Sequence, residues 1–168
     1  GAIPGQFMPA VEKGVREALA EGVIAGYPVQ DIRVIVHDGK SHAVDSKEVA
    51  FVTAGKKAVQ AAIREAAPTV LEPVARLTIT VPDSATGAVT GDLSSRRGLV
   101  SGTDTPRPGQ VAITAQVPMA ELLDYQNRLN ALPAGQGAYT LALSHYEAVP
   151  PQVQQQLAGQ YRAKEEQE

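Results

Sequence analysis

The chain has 168 residues, a net charge of −3 and 43% apolar residues, which is typical of a globular protein with one domain or two small ones. It has no cysteine, so disulfides and thiolate metal sites are excluded. Because the net charge is negative, we expect any contact with RNA to be local rather than spread over a basic surface. The sequence has no apolar run of membrane-spanning length and no visible signal peptide, so we expect a cytoplasmic protein without a membrane partner.

Two amphipathic helices are predicted in the first part of the chain. Apolar residues recur at helical spacing from Met8 onward, and Gly22 is a typical helix terminator. A second helix is predicted to begin at residues 45–48, where Asp-Ser-Lys-Glu has the spacing of a capping box, and to end before Pro68. Its apolar stripe consists of Val49, Val52, Val59 and Ile63.

Between these helices, residues 31–37 alternate in side-chain character, which predicts a strand that ends in a tight turn at residues 38–40. The hydrophilic residues after the turn include Ser41, His42 and Asp45. A serine hydrolase needs an oxyanion hole and a sheltered site, which a polar turn does not provide, so this reading is disfavoured. The sequence also lacks a P-loop and the common hydrolase and metalloprotease motifs.

The second part of the chain changes pattern after a predicted hinge at residues 71–73. Strands are predicted at residues 74–81, 99–102, 110–117 and 139–146. One helix is predicted at residues 88–97, and a second begins at Pro118 with Leu122, Leu123 and Leu129 facing inward. Loops are predicted at residues 103–109 and 133–137. The order β-α-β-β-α-β is that of a ferredoxin-like sandwich, with two helices on one face of a four-stranded antiparallel sheet. We therefore expect an α+β chain with a domain at residues 71–149 and a polar tail or helix at residues 150–168.

Three motifs in this order resemble elongation factor G: Ala-Gly-Tyr-Pro at residues 25–28, Ser-His-Ala-Val-Asp-Ser at residues 41–46, and Gly-Asp-Leu-Ser-Ser-Arg-Arg-Gly at residues 91–98. The first two lie in residues 1–70, which resemble part of domain IV of that family. The resemblance implies an incomplete ribosomal-S5-domain-2-like α/β segment whose N-terminal strands are missing. The third motif lies in residues 71–149, which resemble domain V and are implied to be ferredoxin-like.

The resemblance implies the ribosome-binding C-terminal part of a translational GTPase that promotes movement of transfer RNA and messenger RNA. Domain IV would reach the decoding centre of the small subunit, and domain V would dock at the factor-binding region of the large subunit near the sarcin–ricin loop. GTP and Mg would bind an upstream domain of the parent protein. For this chain we therefore expect no catalysis, no cofactor and no metal.

The resemblance places the RNA contacts on the turn and on two arginines. The predicted RNA-binding residues are Asp38, Gly39, Lys40, Ser41, His42, Arg96 and Arg97. Lys40 provides a compact cation for phosphate, and His42 can donate to a phosphate or a 2′-hydroxyl and stack on a base. Arg96 and Arg97 follow a predicted helix, where a guanidinium suits the negative end of the helix dipole and can pair with phosphate or with a carboxylate.

Departures from the family pattern favour an elongation factor G-like paralogue. Ser41 stands where the family usually has Tyr, and Lys47 stands where it has a second Ser. The missing strands would also leave apolar helix faces uncovered, at roughly 1.5–3 kcal/mol for each aliphatic side chain. We therefore expect either a fragment of a longer protein or self-association of the first domain.

Two alternatives differ in function. A ribosomal protection protein of the tetracycline-resistance type would share the architecture but dislodge a drug. A ferredoxin-like regulatory module would bind a small ligand at residues 72–147, and selective ligand binding without ribosome binding would favour it.

Overall fold

The computed structural model describes residues 3–42, 47–130 and 137–165, without the side chains of residues 129–130 and 163–165. The chain folds into two compact units. The first unit combines Gly1–Val70 with Pro150–Glu168, and the second unit is Leu71–Val149. Across the described residues, no helix combines the length and the apolar character needed to cross a membrane.

Two helices form the centre of the first unit. Helix α1 (Met8–Glu21) ends at Gly22 as predicted, where a positive φ of 82° reverses the chain. Helix α2 (Glu48–Glu65) confirms the second helix prediction, but its N-cap is Lys47, which makes no side-chain capping hydrogen bond. The predicted cap residues at positions 45 and 46 lie outside the described residues.

Two glycines let α1 and α2 approach closely. A Cβ on Gly14 would clash with the backbone of Val52, and one on Gly55 would lie 2.6 Å from the carbonyl oxygen of Val11. Backbone-to-backbone packing of this kind needs glycine on both helices because any side chain would force them apart. The two helices bury aliphatic side chains between them and stack Phe51 on Phe7, which precedes α1, with ring centroids 4.3 Å apart.

The predicted strand at residues 31–37 is wrong for this structure. The segment carries no strand pairing among the described residues, and its aliphatic side chains are 46% (Ile32), 42% (Val34), 63% (Ile35) and 41% (Val36) exposed. Alternation defines two faces, but a strand also needs a neighbour for its backbone hydrogen bonds. All strands in the described part of the chain belong to the second unit. Among the described residues, the segment at 31–37 therefore has no neighbouring strand to pair with. A cavity of about 820 Å³ lies between it and the two helices.

The second unit is the predicted ferredoxin-like sandwich. Its elements are β1 (Leu71–Pro82), α3 (Thr86–Ser95), β2 (Leu99–Arg107), β3 (Gln110–Pro118), α4 (Tyr125–Asn130) and β4 (Ala138–Ala148). The strands form one antiparallel sheet in the order β2-β3-β1-β4. The central strand β1 therefore pairs with β3 on one side and with β4 on the other.

Alternation along the central strands sets the core of this unit. Every second residue of β1 is buried, namely Ala75, Leu77, Ile79 and Val81, and β3 contributes Ile113, Ala115 and Val117. Val89 and Leu93 of α3 cover this face, and Tyr125 of α4 completes the core with its ring edge-on to Tyr139 at 5.7 Å. The opposite face of β1 and β3 is half-buried or exposed, except where Val74 and Pro118 are buried side by side at one end.

Three predictions in this unit need correction. The hinge at residues 71–73 is the beginning of β1, where Leu71 pairs with Ala148. The loop at residues 103–109 is mostly β2, which continues to Arg107 because its partner β3 extends as far. Leu123 does not face the core and is 92% exposed, since a short 3₁₀ helix at Met119–Leu122 changes the helical phase before α4 begins. The predicted loop at residues 133–137 lies almost wholly outside the described residues.

The polar C-terminal segment forms helix α5 (Pro151–Glu165), which belongs to the first unit. Its Gln154 side chain makes two hydrogen bonds to the main chain of residues 68–70. The amide nitrogen donates to the carbonyl oxygen of Pro68 at 3.1 Å, and the amide oxygen accepts from the N–H of Val70 at 2.9 Å. The helix is therefore attached to residues 68–70 through specific hydrogen bonds.

Candidate nucleic-acid interface

The sequence predicts a tight turn at residues 38–40, but residues 38–42 form no hydrogen-bonded turn or bend. They are a solvent-facing segment of the first unit, for which the name turn is kept below. Asp38, Lys40, Ser41 and His42 are exposed, and Gly39 is half-buried. The Asp38 carboxylate accepts a hydrogen bond from the N–H of the adjacent Gly39 at 2.8 Å. All five predicted turn residues therefore lie together, with four side-chain-bearing positions open to a ligand.

Gly39 also contacts the beginning of the chain. A Cβ at this position would lie 2.6 Å from Cγ1 of Ile3 and closer still to its Cδ1, so a larger residue here would require the Ile3 side chain to shift. Ile3 in turn packs against the cluster formed by Ala10, Val11 and Phe51. The turn is thus connected to the helical core of its own unit.

Arg96 lies in a different setting, inside a ring of partners in the second unit. Its guanidinium donates to the Asp92 carboxylate at 3.0 Å, to the Asp124 carboxylate at 2.8 Å and to the carbonyl oxygen of Glu121. It also lies over the Tyr125 ring, 5.2 Å from the centroid, in cation–π geometry. Only 14% of the side chain is exposed, so little of this arginine faces solvent.

These contacts shift three pKa values. The hydrogen bond to Asp124, followed by the one to Asp92, raises the pKa of Arg96, and the same Arg96 lowers the pKa of the Asp124 carboxyl. Burial, with a smaller contribution from the Asp92 carboxylate, raises the pKa of Tyr125 to about 12. The ring of partners therefore favours charged Arg96 and Asp124, while burial favours a neutral Tyr125.

Arg97 ends helix α3 in an unusual backbone conformation. Its φ is +58°, a left-handed position that glycine usually occupies. The N–H of Gly98 donates to the carbonyl oxygen of Leu93 at 2.8 Å and the N–H of Arg97 donates to that of Ser94 at 3.3 Å, which is a Schellman ending. An arginine here costs about 1–2 kcal/mol of backbone strain.

The Arg97 side chain pairs with two carboxylates. It binds Glu72 of β1 in a bidentate pair at 2.6 and 2.9 Å, and it donates to Glu121 at 3.1 Å. The hydrogen bond to Glu72, followed by that to Glu121, raises the pKa of Arg97. The side chain is 31% exposed. Both predicted arginines are thus engaged by carboxylates, and their RNA contact stays a prediction.

The sequence reasoning did not identify the acidic partners of this network. Asp92 could have been found, because it precedes Arg96 by four residues and such pairs meet on one helix face. It also accepts from Arg128 at 3.2 Å. Glu72, Glu121 and Asp124 lie far along the chain from the arginines, so only the tertiary fold reveals them. Within residues 3–42, 47–130 and 137–165, no group of three or more His, Asp and Glu side chains is arranged to hold a metal ion.

Comparison with known families assigns both parts of the chain. The family described as "Elongation factor G C-terminus" matches residues 69–157, and the family described as "Elongation factor G, domain IV" matches residues 1–67. The chain belongs to the elongation factor G family. The two matches meet where the resemblance of the sequence motifs changes from domain IV to domain V.

Individual relatives agree with this assignment. An "Elongation factor G-like protein" of Thermotoga maritima is 41% identical over 162 residues, covering 96% of this chain and 24% of the relative. "Elongation factor G" of Aquifex pyrophilus is 40% identical over 163 residues, covering 97% of this chain and 23% of the relative. A crystal structure of a Thermus thermophilus protein matches with a TM-score of 0.75 and 39% identity over 97% of this chain and 24% of that one. The chain thus spans about a quarter of the length of the relatives it matches.

Proposed function

We propose that this chain is the ribosome-docking C-terminal part of an elongation factor G-like translational GTPase. In this proposal the turn at residues 38–42 enters the decoding centre of the small subunit while transfer RNA and messenger RNA move. GTP binding and hydrolysis belong to another part of the longer protein. The observation that carries the proposal is the exposed turn, with Lys40 and His42 open to solvent, in a chain of this family.

The chemistry of the turn suits a local RNA contact. The ammonium of Lys40 offers charge to a phosphate, and the His42 imidazole offers a donor and a flat surface for a base. The chain carries a net charge of −3, which disfavours non-specific adhesion to nucleic acid. Binding would therefore depend on the shape and position of the turn.

The second unit supports docking in a different way. We propose that Arg96 acts mainly within the protein, since its guanidinium already binds Asp92 and Asp124. Arg97 is the more accessible of the two and is the better candidate to meet a phosphate at the factor-binding region of the large subunit. Such a contact would have to compete with the bidentate pair to Glu72.

The test is co-sedimentation of the chain with purified bacterial ribosomes, followed by chemical footprinting of the small-subunit RNA. We expect protection in the decoding centre, and we expect the double variant Lys40→Ala/His42→Ala to lose most of it. The matched control is Lys57→Ala/His145→Ala, which removes an ammonium from α2 and an imidazole from β4, both outside residues 38–42. This control should keep the protection.

Other outcomes would point elsewhere. Equal footprints for the wild type and the turn variant would remove the turn from the interface. Failure of the wild-type chain to bind ribosomes, together with selective binding of a small ligand, would favour the ferredoxin-like regulatory module.

A further inference from the structure

Ile3 lies between the turn at residues 38–42 and the core of the first unit. On one side its Cγ1 and Cδ1 fill the space in which a side chain of residue 39 would stand, with Cγ1 only 2.6 Å from the position of such a Cβ. On the other side it packs on Ala10, Val11 and Phe51. Phe51 is itself fixed by stacking on Phe7, so the contact is continuous from the helices to the turn.

Residues 29–39 lead up to the turn and contact the rest of the unit near both of their ends. Residues 32–37 are exposed and form no strand pairing among the described residues. The segment is held near its beginning, where the N–H of Val29 donates to the carbonyl oxygen of Leu19 at 2.8 Å, and again where Gly39 meets Ile3. Ser41 and His42 have further interactions of their own. A side chain that packs against the turn at one end of this segment restricts the position of that end.

We infer that Ile3 is a positioning residue of the turn, and that it acts by filling the space left by the missing side chain of Gly39. This inference rests on the proposed function, because a fixed turn matters when the turn docks onto RNA. Holding the turn in place before docking removes part of the entropy cost of binding. Ile3 itself touches no RNA in this scheme.

The size of residues 3 and 39 provides a direct test. Ile3→Ala empties the space beneath the turn, and Gly39→Ala overfills it. Each single variant should lower the backbone amide order parameters of residues 38–42, measured by NMR relaxation on the full chain. In the double variant the new methyl group of residue 39 enters the space that Ile3 vacated. The double variant should therefore recover order relative to Gly39→Ala, which is a coupling that independent sites would not show.

Ribosome binding gives the second readout. We expect Ile3→Ala to weaken protection of the decoding centre by about 3–10-fold, from the cost of ordering the turn on binding. Met8→Ala is the control, because it trims a partly exposed apolar side chain of α1 away from Gly39. If Ile3→Ala disturbs the helices, as circular dichroism would reveal, Ile3→Val replaces it, since valine lacks only the Cδ1 methyl group.

Unchanged order parameters in Ile3→Ala or Ile3→Val would overturn the inference, and so would a double variant no better ordered than Gly39→Ala. Failure of the proposed function has a different signature. In that case the wild-type chain gives no protection of ribosomal RNA, while the order parameters still respond to Ile3 and the positioning role stands.

Discussion

Residues 32–36 and residues 77–81 both alternate aliphatic side chains, yet only the second run is part of a sheet. In β1 the aliphatic residues Leu77, Ile79 and Val81 are almost completely buried between two partner strands and a helix. In the first unit the corresponding side chains remain at least 41% exposed. The difference lies in the neighbours, since a strand needs a hydrogen-bonding partner and a covering layer.

The charged residues repeat this contrast. In the first unit the pair between Arg16 and Glu12 lies on the surface of α1, with both side chains more than 60% exposed. In the second unit Arg96 and Asp92 form an equally spaced pair, but both side chains are less than 15% exposed and each has a further partner. The same spacing in sequence thus produces a solvated pair in one unit and a nearly buried network in the other.

The largest expected effect separates the two alternating runs. Leu77→Ala should lower the free energy of unfolding by about 2–5 kcal/mol, because it leaves a cavity in a packed core. Ile35→Ala should change it by less than about 0.5 kcal/mol, because this side chain is mostly exposed. Urea unfolding of the full chain, followed by circular dichroism, measures both. Similar losses for the two variants would show that residues 32–36 are packed in solution.

An alkaline pH series probes the core of the second unit. Tyr125 has its folded-state pKa raised to about 12, so between about pH 10 and pH 12 the unfolded chain loses the phenol proton and the folded chain keeps it. The stabilisation from Tyr125 is therefore complete below about pH 10 and is lost as the pH rises to 12, by about 2–3 kcal/mol. Tyr125→Phe should remove this part of the alkaline loss. Identical pH profiles for the wild type and Tyr125→Phe would contradict the burial of the phenol.

The two arginine ion pairs should show a smaller difference in their contribution to the free energy of unfolding. Arg96→Ala should cost about 1–2 kcal/mol, less than a fully buried pair, because Asp124 is exposed and Asp92 keeps Arg128. Arg16→Ala should cost no more than about 0.5 kcal/mol. Thermal unfolding at low and at high salt measures both, and the Arg16 effect should shrink more with salt. A stronger effect of Arg16→Ala than of Arg96→Ala would reverse the assignment of the two environments.

Sequence reasoning predicted elements well where local signals were sufficient. Helix α1 begins at Met8 and ends at Gly22 as expected, because periodicity and glycine termination are local properties. It was less successful where the structure of a segment depends on a neighbouring element. Strand β2 is longer than predicted because β3 lies beside it, and Leu123 is exposed because a short 3₁₀ helix shifts the phase of the following turn.

In the candidate site, too, local features were predictable from the sequence and contacts between distant residues were not. The turn at residues 38–42 was identifiable because its polar residues are consecutive and its motif resembles a family. The surroundings of Arg96 and Arg97 were not, because Glu72 and Glu121 lie 25 and 24 residues from Arg97. The contact between Ile3 and Gly39 was equally hidden, since nothing in the sequence pairs these two positions.

By itself the sequence determined the family, the helical periodicity and the β-α-β-β-α-β order, since each depends on residues close together in the chain. Only the tertiary structure decided which alternating run becomes a buried strand and which arginines are held by carboxylates. It also decided which side chain supports the exposed turn. The physical reason is that backbone pairing and desolvation depend on groups that are distant in sequence and become neighbours only after folding.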